Sequence, residues 1–334
     1  MLDNKKILFI APSFFGYEKS ICKEIKSLGA SVDYYDERPF SSSLFKILNR
    51  LDLKFFIKRK IDNYYKCILD KAIVEKYDYL LVISPETLDF EFLSKLQDTV
   101  ELKSILYMWD SFKNKPNANT LISLFDSVYS FDNNDVNESK SICYLPLFYT
   151  NEFSSDELTG SEKFAATFIG TVHSDRARIA KDILSKLEER GLSTFSFFYC
   201  PSKLLFLLKK MFTSELNFLS YKDVSFIPLE KSEINFIFSK SLSVLDIQHP
   251  EQHGLTMRTF EVLGMKRKLI TTNKNVMDSD FYSTNNVLVI DRENSEIPHE
   301  FLSSSYDLSK TIVIEKYSLR VWVKTIFTLE LDKG

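Results

Sequence analysis

The sequence predicts an α/β protein of two lobes, each built on an open parallel sheet, with the sheets facing across a cleft. Short all-apolar runs of strand length recur along the chain, and amphipathic helical stretches separate them. One polar, glycine-containing segment near the middle, NEFSSDELTGSEK (151–163), breaks the alternation, which then restarts. The 334 residues suffice for two domains that each bury a full core. The expected division is 1–155 and 156–334, with the last helix free to pack back on the first lobe.

In the first lobe ILFIA (7–11) has the uninterrupted apolar character of a strand buried on both faces. The loop PSFFGYE follows, then a helix that places Ile21, Ile25 and Leu28 on one face and ends at Gly29. VDYY (32–35), YLLVI (79–83), SILYMW (104–109) and VYSF (128–131) read as further strands. In the second lobe AATFIG (165–170), TFSFFY (194–199), SVLDI (243–247), LITT (269–272) and VLVI (287–290) are the strands. Helices are expected over about 175–190, 232–240 and 255–265. Strand–helix alternation with right-handed crossovers gives parallel sheets, and ligands of such sheets bind beyond the strands' carboxyl ends.

Composition narrows the function. A net charge of −3 argues against general nucleic-acid binding, which needs a basic surface. Four cysteines, at 22, 67, 143 and 200, show no CxxC or ligand spacing and read as buried free thiols of a reducing compartment. The apolar run at the N-terminus is too short for a signal peptide, and no window is long and apolar enough to span a bilayer. The expectation is a cytoplasmic protein. No G-x-G-x-x-G follows the first strand, which removes the commonest dinucleotide-binding oxidoreductases.

Two strand-to-helix junctions in the second lobe suit an anion. In FIGTVHSDRARI (168–179), Gly170 ends a strand, Thr171 offers a hydroxyl, and Ser174-Asp175 could cap the helix that follows. Arg176 and Arg178 fall in that helix's first turn, where a cation opposes the macrodipole unless an anion joins it; solvation alone would also account for both, for Arg178 more readily than for Arg176. In EQHGLTMRTFEVLG (251–264), Gly254 permits close backbone approach, and the amides of Leu255, Thr256 and Met257 open a helix toward a diphosphate. Arg258 can add bidentate phosphate contacts, and Glu261, an acceptor only, suits the paired hydroxyls of a ribose. An ordinary turn at Gly254 and a surface charge at Glu261 are the structural alternative. His249 and His253 flank this segment and could reach phosphate or sugar.

The run GLTMRTFEVLGMKRKLITTN (254–273) resembles the nucleotide-sugar segment of bacterial GT-B glycosyltransferases of lipopolysaccharide and capsule assembly. It is also similar to the R-x-F-E helix of the spore-maturation glycosyltransferase-like group. FFGYEKSI, YMWDS and FIGT extend the resemblance over most of the chain. It implies two Rossmann-like lobes and a metal-independent glycosyl transfer from a nucleotide sugar, with no cofactor. The acceptor would be a glycan or lipid-linked glycan of the bacterial surface. It further implies that Gly170, Thr171 and Arg176 hold the donor diphosphate from one side and Gly254, Leu255, Thr256 and Arg258 from the other, with Glu261 on the ribose. Retaining members often carry two glutamates seven residues apart; here Glu251 and Glu261 have nine between them, so the stereochemical outcome stays open.

On the acceptor side, Gly16 follows the first strand. Asp110, at the end of SILYMW, is the first candidate for the base that takes the acceptor's proton and Glu18 the second, with capping an equal reading for Asp110. MDSD (277–280) contains a D-x-D triplet, but in a polar loop where metal binding is not expected, leaving Asp280 at most a sugar contact. ILNRLDLKFFIKRK (47–60) and KLLFLLKKMF (203–212) are both basic and amphipathic, suited either to an anionic membrane surface or to packing in the core with solvated charges. Core packing is favoured for the second. The first is the expected docking surface on the inner membrane if the acceptor is lipid-linked. Two rivals remain: a non-catalytic two-lobed protein that binds a nucleotide or phosphometabolite, and a nucleotide-sugar epimerase on the same fold.

Overall fold

The computed structural model describes residues 2–38, 58–155, 162–212 and 216–328. It divides into two compact units, Met1–Pro146 together with the closing helix from Leu319, and Leu147–Ser318.

The first unit is a sheet of six parallel strands in the order β2-β1-β3-β4-β5-β6. They are β1 (Lys6–Ala11), β2 (Ser31–Asp36), β3 (Tyr79–Ile83), β4 (Lys103–Met108), β5 (Ser127–Ser130) and β6 (Ile142–Tyr144). All five residues of β3 are buried, as a central strand covered on both faces demands. One face packs Leu80, Val82 and Leu106 against Ile61, Tyr65 and Ile68 of the helix Lys58–Glu75 and against Phe92, Leu93 and Leu96 of the helix Phe90–Thr99. Each such large apolar side chain contributes about 1.5–3 kcal/mol by leaving water. The closing helix Leu319–Thr328 returns to this unit: Trp322 meets Tyr107 edge-on at 4.8 Å, Phe327 meets Tyr79 at 5.2 Å, and Arg320 pairs with the buried Glu24 at 2.9 Å.

The second unit is a sheet of six parallel strands in the order β12-β11-β10-β7-β8-β9. These are β7 (Phe164–Thr171), β8 (Thr194–Tyr199), β9 (Val224–Ser225), β10 (Ser241–Asp246), β11 (Lys268–Thr271) and β12 (Val287–Val289). Counted from β7 the order is 3-2-1-4-5-6, the Rossmann arrangement, and the connections diverge between β7 and β10. Beneath the sheet Ala177, Ile179, Ala180, Ile183 and Leu187 of the helix Arg176–Glu189 share a core with Phe168, Phe198 and Leu245. Gly191 ends the segment beyond that helix with φ 78°, a left-handed turn that glycine enters without strain.

Several expectations need correction. The division falls at 146/147 rather than 155/156, because residues 147–155 pack on the second unit. Phe153 is buried beside Phe238, the Tyr149 amide donates to the Tyr317 carbonyl at 3.0 Å, and the Ser155 amide donates to the Gly264 carbonyl at 3.3 Å. Cys67 and Cys143 are exposed rather than buried; Cys200 is buried, and burial pushes the half-buried Cys22 thiol up to about 11. The helix Lys203–Phe212 is not core-packed, since Phe206 is its one buried side chain. Of the basic stretch 47–60, residues 47–57 lie outside the described residues.

Candidate functional site

In an open parallel sheet the crevice for a ligand forms where neighbouring connections run to opposite faces, at the strands' carboxyl ends. In the second unit that place lies between Gly170-Thr171 at the end of β7 and Asp246 at the end of β10. Both anion junctions expected from the sequence leave the sheet here, and the structure brings their loops together. The rings of His173, after β7, and His249, after β10, lie 5.4 Å apart. Arg292, beyond β12, ties the same two loops: its Nη1 pairs with Asp175 Oδ1 at 2.7 Å and its Nη2 donates to the Gln248 carbonyl at 2.6 Å.

Asp246 organises the second junction. Its Oδ2 accepts the hydroxyls of Thr256 at 2.7 Å and Thr259 at 2.8 Å, and Thr256 Oγ1 in turn accepts the Thr259 amide at 3.3 Å. Thr256 is therefore the N-cap of the helix Met257–Gly264, and the carboxylate locks the cap's rotamer. The loop before it is fixed from β11's side: Asn273 Nδ2 donates to the carbonyls of His253 and Gly254 at 3.1 and 3.2 Å. Gly254 and Leu255 are both buried, and His253 is exposed. Thr272 donates to the Gln248 side-chain oxygen.

Arg258 lies on the first turn of this helix with its guanidinium 4.7 Å above the Phe238 ring. Its Nη1 stands 3.1 Å from Glu261 Oε2, an electrostatic pair without hydrogen-bond geometry. Glu261 is buried, so it is not the surface charge of the alternative reading, and half of its carboxylate is engaged by Arg258. A buried pair of this kind adds little net stability, since desolvation offsets most of the attraction.

Arg176 opens the helix after β7. Burial lowers its pKa, the positive charge of Arg292 lowers it further, and Asp246 and Asp175 oppose the shift. Its Nε is buried and has no hydrogen-bond partner among the described residues. A buried guanidinium N–H left unpaired is costly, and such an orphan in a crevice marks a place for an acceptor.

Other expected roles are altered. Asp175 stands at the N-cap position but makes no capping hydrogen bond, because Arg292 takes its carboxylate; Ser174, with φ 53°, donates to the His173 carbonyl instead. Arg178 is exposed. Gly170 has a packing reason of its own, since a Cβ there would stand 2.6 Å from the Phe168 ring. In the first unit Asp110 Oδ1 accepts the Ser111 amide at 3.0 Å and Asn114 Nδ2 at 2.9 Å, which ties it into its own turn; the N-cap of the short helix that follows is Ser111. Glu18 is buried and folds back on its own loop, accepting the Phe14 amide at 3.1 Å and the Ser13 hydroxyl at 3.4 Å. Gly16, at φ 74°, starts the helix Tyr17–Ser27 just after Phe15 at φ 48°, so the loop turns on two successive left-handed residues. Asp280 is engaged by Tyr317 at 2.6 Å and Lys316 at 3.8 Å.

Asp246, Gln248, Asn273 and Arg292 are the residues that sequence reasoning missed. Asp246 offers a faint signal, as the one charge ending an otherwise uncharged strand; Arg292 lies in the polar stretch DRENSE with nothing local to single it out.

No family model matches the chain, and no curated protein matches it in sequence. Its fold has solved counterparts. Sucrose-phosphate synthase from Thermosynechococcus elongatus superposes with a TM-score of 0.66 at 7% identity, over 98% of this chain and 99% of that one. Anabaena HepE in complex with UDP and glucose gives 0.61 at 11% identity, over 99% and 100%. The lipopolysaccharide outer core galactosyltransferase WaaB gives 0.57 at 10% identity, over 98% and 100%. The fold is GT-B. At these identities the likeness shows architecture, and the chemistry must come from the site.

Proposed function

We propose that this protein is a glycosyltransferase that takes a sugar from a UDP-type nucleotide-sugar donor and passes it to a glycan of the bacterial surface, such as lipopolysaccharide, O-antigen or capsule. The observation that carries the reading is Arg176: a half-buried arginine at a helix N-terminus, its Nε buried and unpaired among the described residues, at the switch point of a Rossmann sheet. A diphosphate supplies the missing acceptor. Support comes from the neighbouring helix Met257–Gly264, which adds its N-terminal amides and Arg258. The GT-B counterpart from Anabaena, whose structure holds UDP and glucose, favours UDP as the nucleotide.

In this reading Gly170, Thr171, Gly254, Leu255 and Thr256 shape the pocket around the diphosphate, with His249 beside it and Glu261 on the ribose. The leaving group gains charge as the glycosidic bond breaks. Arginines and helix amides fixed in advance stabilise that charge without a metal and without reorganising. The acceptor hydroxyl's proton requires a base. Asp110→Asn and Glu18→Gln test the two first-unit carboxylates that the sequence offers.

Incubation of the purified protein with a panel of UDP-sugars, without acceptor, tests the reading. Slow release of UDP from one donor is expected, absent in Arg176→Ala; no UDP binding at millimolar concentration by calorimetry would overturn it. One rival has a structural observation in its favour. The UDP-GlcNAc 2-epimerase of Methanocaldococcus jannaschii, in complex with UDP-GlcNAc and UDP, superposes with a TM-score of 0.50 at 10% identity, over 93% and 98%. Chromatography of the released sugar separates the two, because an epimerase changes the configuration of the amino sugar. UDP binding with no turnover of any donor indicates a binding protein instead.

A further inference from the structure

The first unit has a crevice of its own. Its strand order β2-β1-β3-β4-β5 is the flavodoxin-like one, in which the place for a ligand lies between the carboxyl ends of β1 and β3. The connections diverge there. The helix after β1 lies on the face of the closing helix, where Arg320 meets Glu24, and the helix after β3 lies on the other face with Leu80 and Val82. Phe15 and Ser84, in the two flanking loops, have left-handed backbones at φ 48° and 42°. Such conformations are unfavourable for residues with a Cβ, and they collect where a loop is shaped for a ligand. Ser84 also sets the neighbouring loop, its Oγ accepting the Trp109 amide at 2.9 Å.

What these loops present is aromatic. Phe14 is 43% exposed and Phe15 54%, their ring centroids 4.7 Å apart, and the half-buried Trp109 stands 5.8 Å from Phe14. Asp110 comes next, its Oδ1 taken by Ser111 and Asn114, its Oδ2 3.9 Å from Lys115 Nζ and so beyond hydrogen-bond reach. The usual anion position of such a crevice, at the N-terminus of the helix after β1, is filled by the chain itself. Glu18 accepts the Phe14 amide and the Ser13 hydroxyl, and Asp36 accepts the Ser13 amide at 3.3 Å. A phosphate would meet those two carboxylates and find the amides taken, and Lys115 does not compensate, because Glu86 pairs with it. A purely apolar occupant would strip water from Asp110 Oδ2 and replace it with nothing. A pyranose satisfies both demands: its C–H face packs on an aromatic ring, and its hydroxyls donate to a carboxylate.

We propose that Phe14 and Trp109 form a stacking platform for a neutral glycosyl unit, with Asp110 Oδ2 accepting one of its hydroxyls, and that Glu18 and Asp36 keep phosphorylated sugars out. As the acceptor of the proposed transfer this unit rests on that reading, yet its binding needs no donor. Saturation-transfer NMR with the methyl glycosides of glucose, galactose, mannose and N-acetylglucosamine tests it on the full chain. At least one should bind at millimolar concentration and change the tryptophan emission; Trp322, the other tryptophan, is buried, so the change reports Trp109. Phe14→Ala should weaken that binding at least tenfold, and Phe14→Tyr, which keeps the ring, by less than threefold; thermal unfolding checks the fold of both. The 6-phosphate of the preferred sugar should bind at least tenfold more weakly, and Glu18→Gln should narrow that gap. No binding of any glycoside at tens of millimolar, Phe14→Ala within twofold of wild type, or equal affinity for the phosphate would each overturn the proposal. UDP binding by a chain that ignores every glycoside sinks this platform alone, whereas glycoside binding without UDP binding sinks the donor reading alone.

Discussion

Asp246 Oδ2 accepts a 2.7 Å hydrogen bond from Thr256 Oγ1, so the last residue of one strand sets the N-cap of the helix that follows. The same oxygen accepts Thr259 Oγ1 at 2.8 Å, which closes a three-membered network around the helix N-terminus. Asp246→Ala leaves two buried hydroxyls without an acceptor and should cost about 1–3 kcal/mol. Asp246→Asn keeps a carbonyl oxygen for both threonines and should cost less than half as much. Urea unfolding of the two variants measures the difference; equal losses would show that charge, rather than the cap, is what Asp246 supplies.

Arg176 and Arg258 should separate in their effects. Arg176→Ala removes a guanidinium whose Nε has no partner, so affinity for UDP should fall at least tenfold, about 1.4 kcal/mol, with stability unchanged or raised. Arg258→Ala removes the cation that stands beside the buried Glu261 carboxylate and should lower both affinity and stability. Adding Glu261→Gln to it should restore stability but not binding. Calorimetric titration with UDP beside thermal unfolding tests the split, and a stable, fully binding Arg258→Ala removes the pair from the donor site.

What could be read from the chain depended on whether the signal was local. YLLVI is legible as a buried parallel strand because both its faces are covered and every residue must be apolar. β9, two residues long, and β6, three, are edge strands too short to show a period. Met257–Gly264 was visible because capping, amphipathicity and arginine all fall within one turn of each other. Arg292 was not, since its partners Asp175 and Gln248 are 117 and 44 residues away and only the strand order brings them near. The exposed ridge of Lys203–Phe212 was misjudged for a related reason: periodicity identifies an apolar face but not the direction it points.

Gly264 ends the helix Met257–Gly264 where the chain from residue 149 to 153 crosses it. A Cβ there would lie 2.7 Å from the Phe153 carbonyl oxygen and 2.8 Å from the Tyr149 ring. Backbone cannot yield as a flexible side chain can. Gly264→Ala should therefore destabilise by about 1–3 kcal/mol despite alanine's better helix propensity. A denaturation midpoint equal to or above that of wild type would show that the segment 149–153 shifts freely.

Glu37 should give the protein an inverted pH response. It follows β2, is fully buried, and its Oε1 accepts the amides of Glu86 at 2.6 Å, Thr87, and Leu88 at 3.0 Å, while Oε2 has no hydrogen-bond partner among the described residues. Burial raises its pKa from the ordinary 4.5 to about 7; the amides pull it down, and the charge of Glu86, itself paired with Lys115, adds to the rise. The folded protein therefore holds a proton that the unfolded chain releases near 4.5, and stability from this group is full below that pH. It is lost as pH climbs through about 7, by at most ~3 kcal/mol. Most paired carboxylates act in the opposite sense, so the comparison must be with Glu37→Gln, which stays neutral and keeps an oxygen for the three amides. Urea unfolding at pH 5 and pH 8 should show wild type losing stability relative to Glu37→Gln as pH rises. Parallel profiles would mean that Glu37 is ionised throughout, with the loop 86–88 solvating it in full.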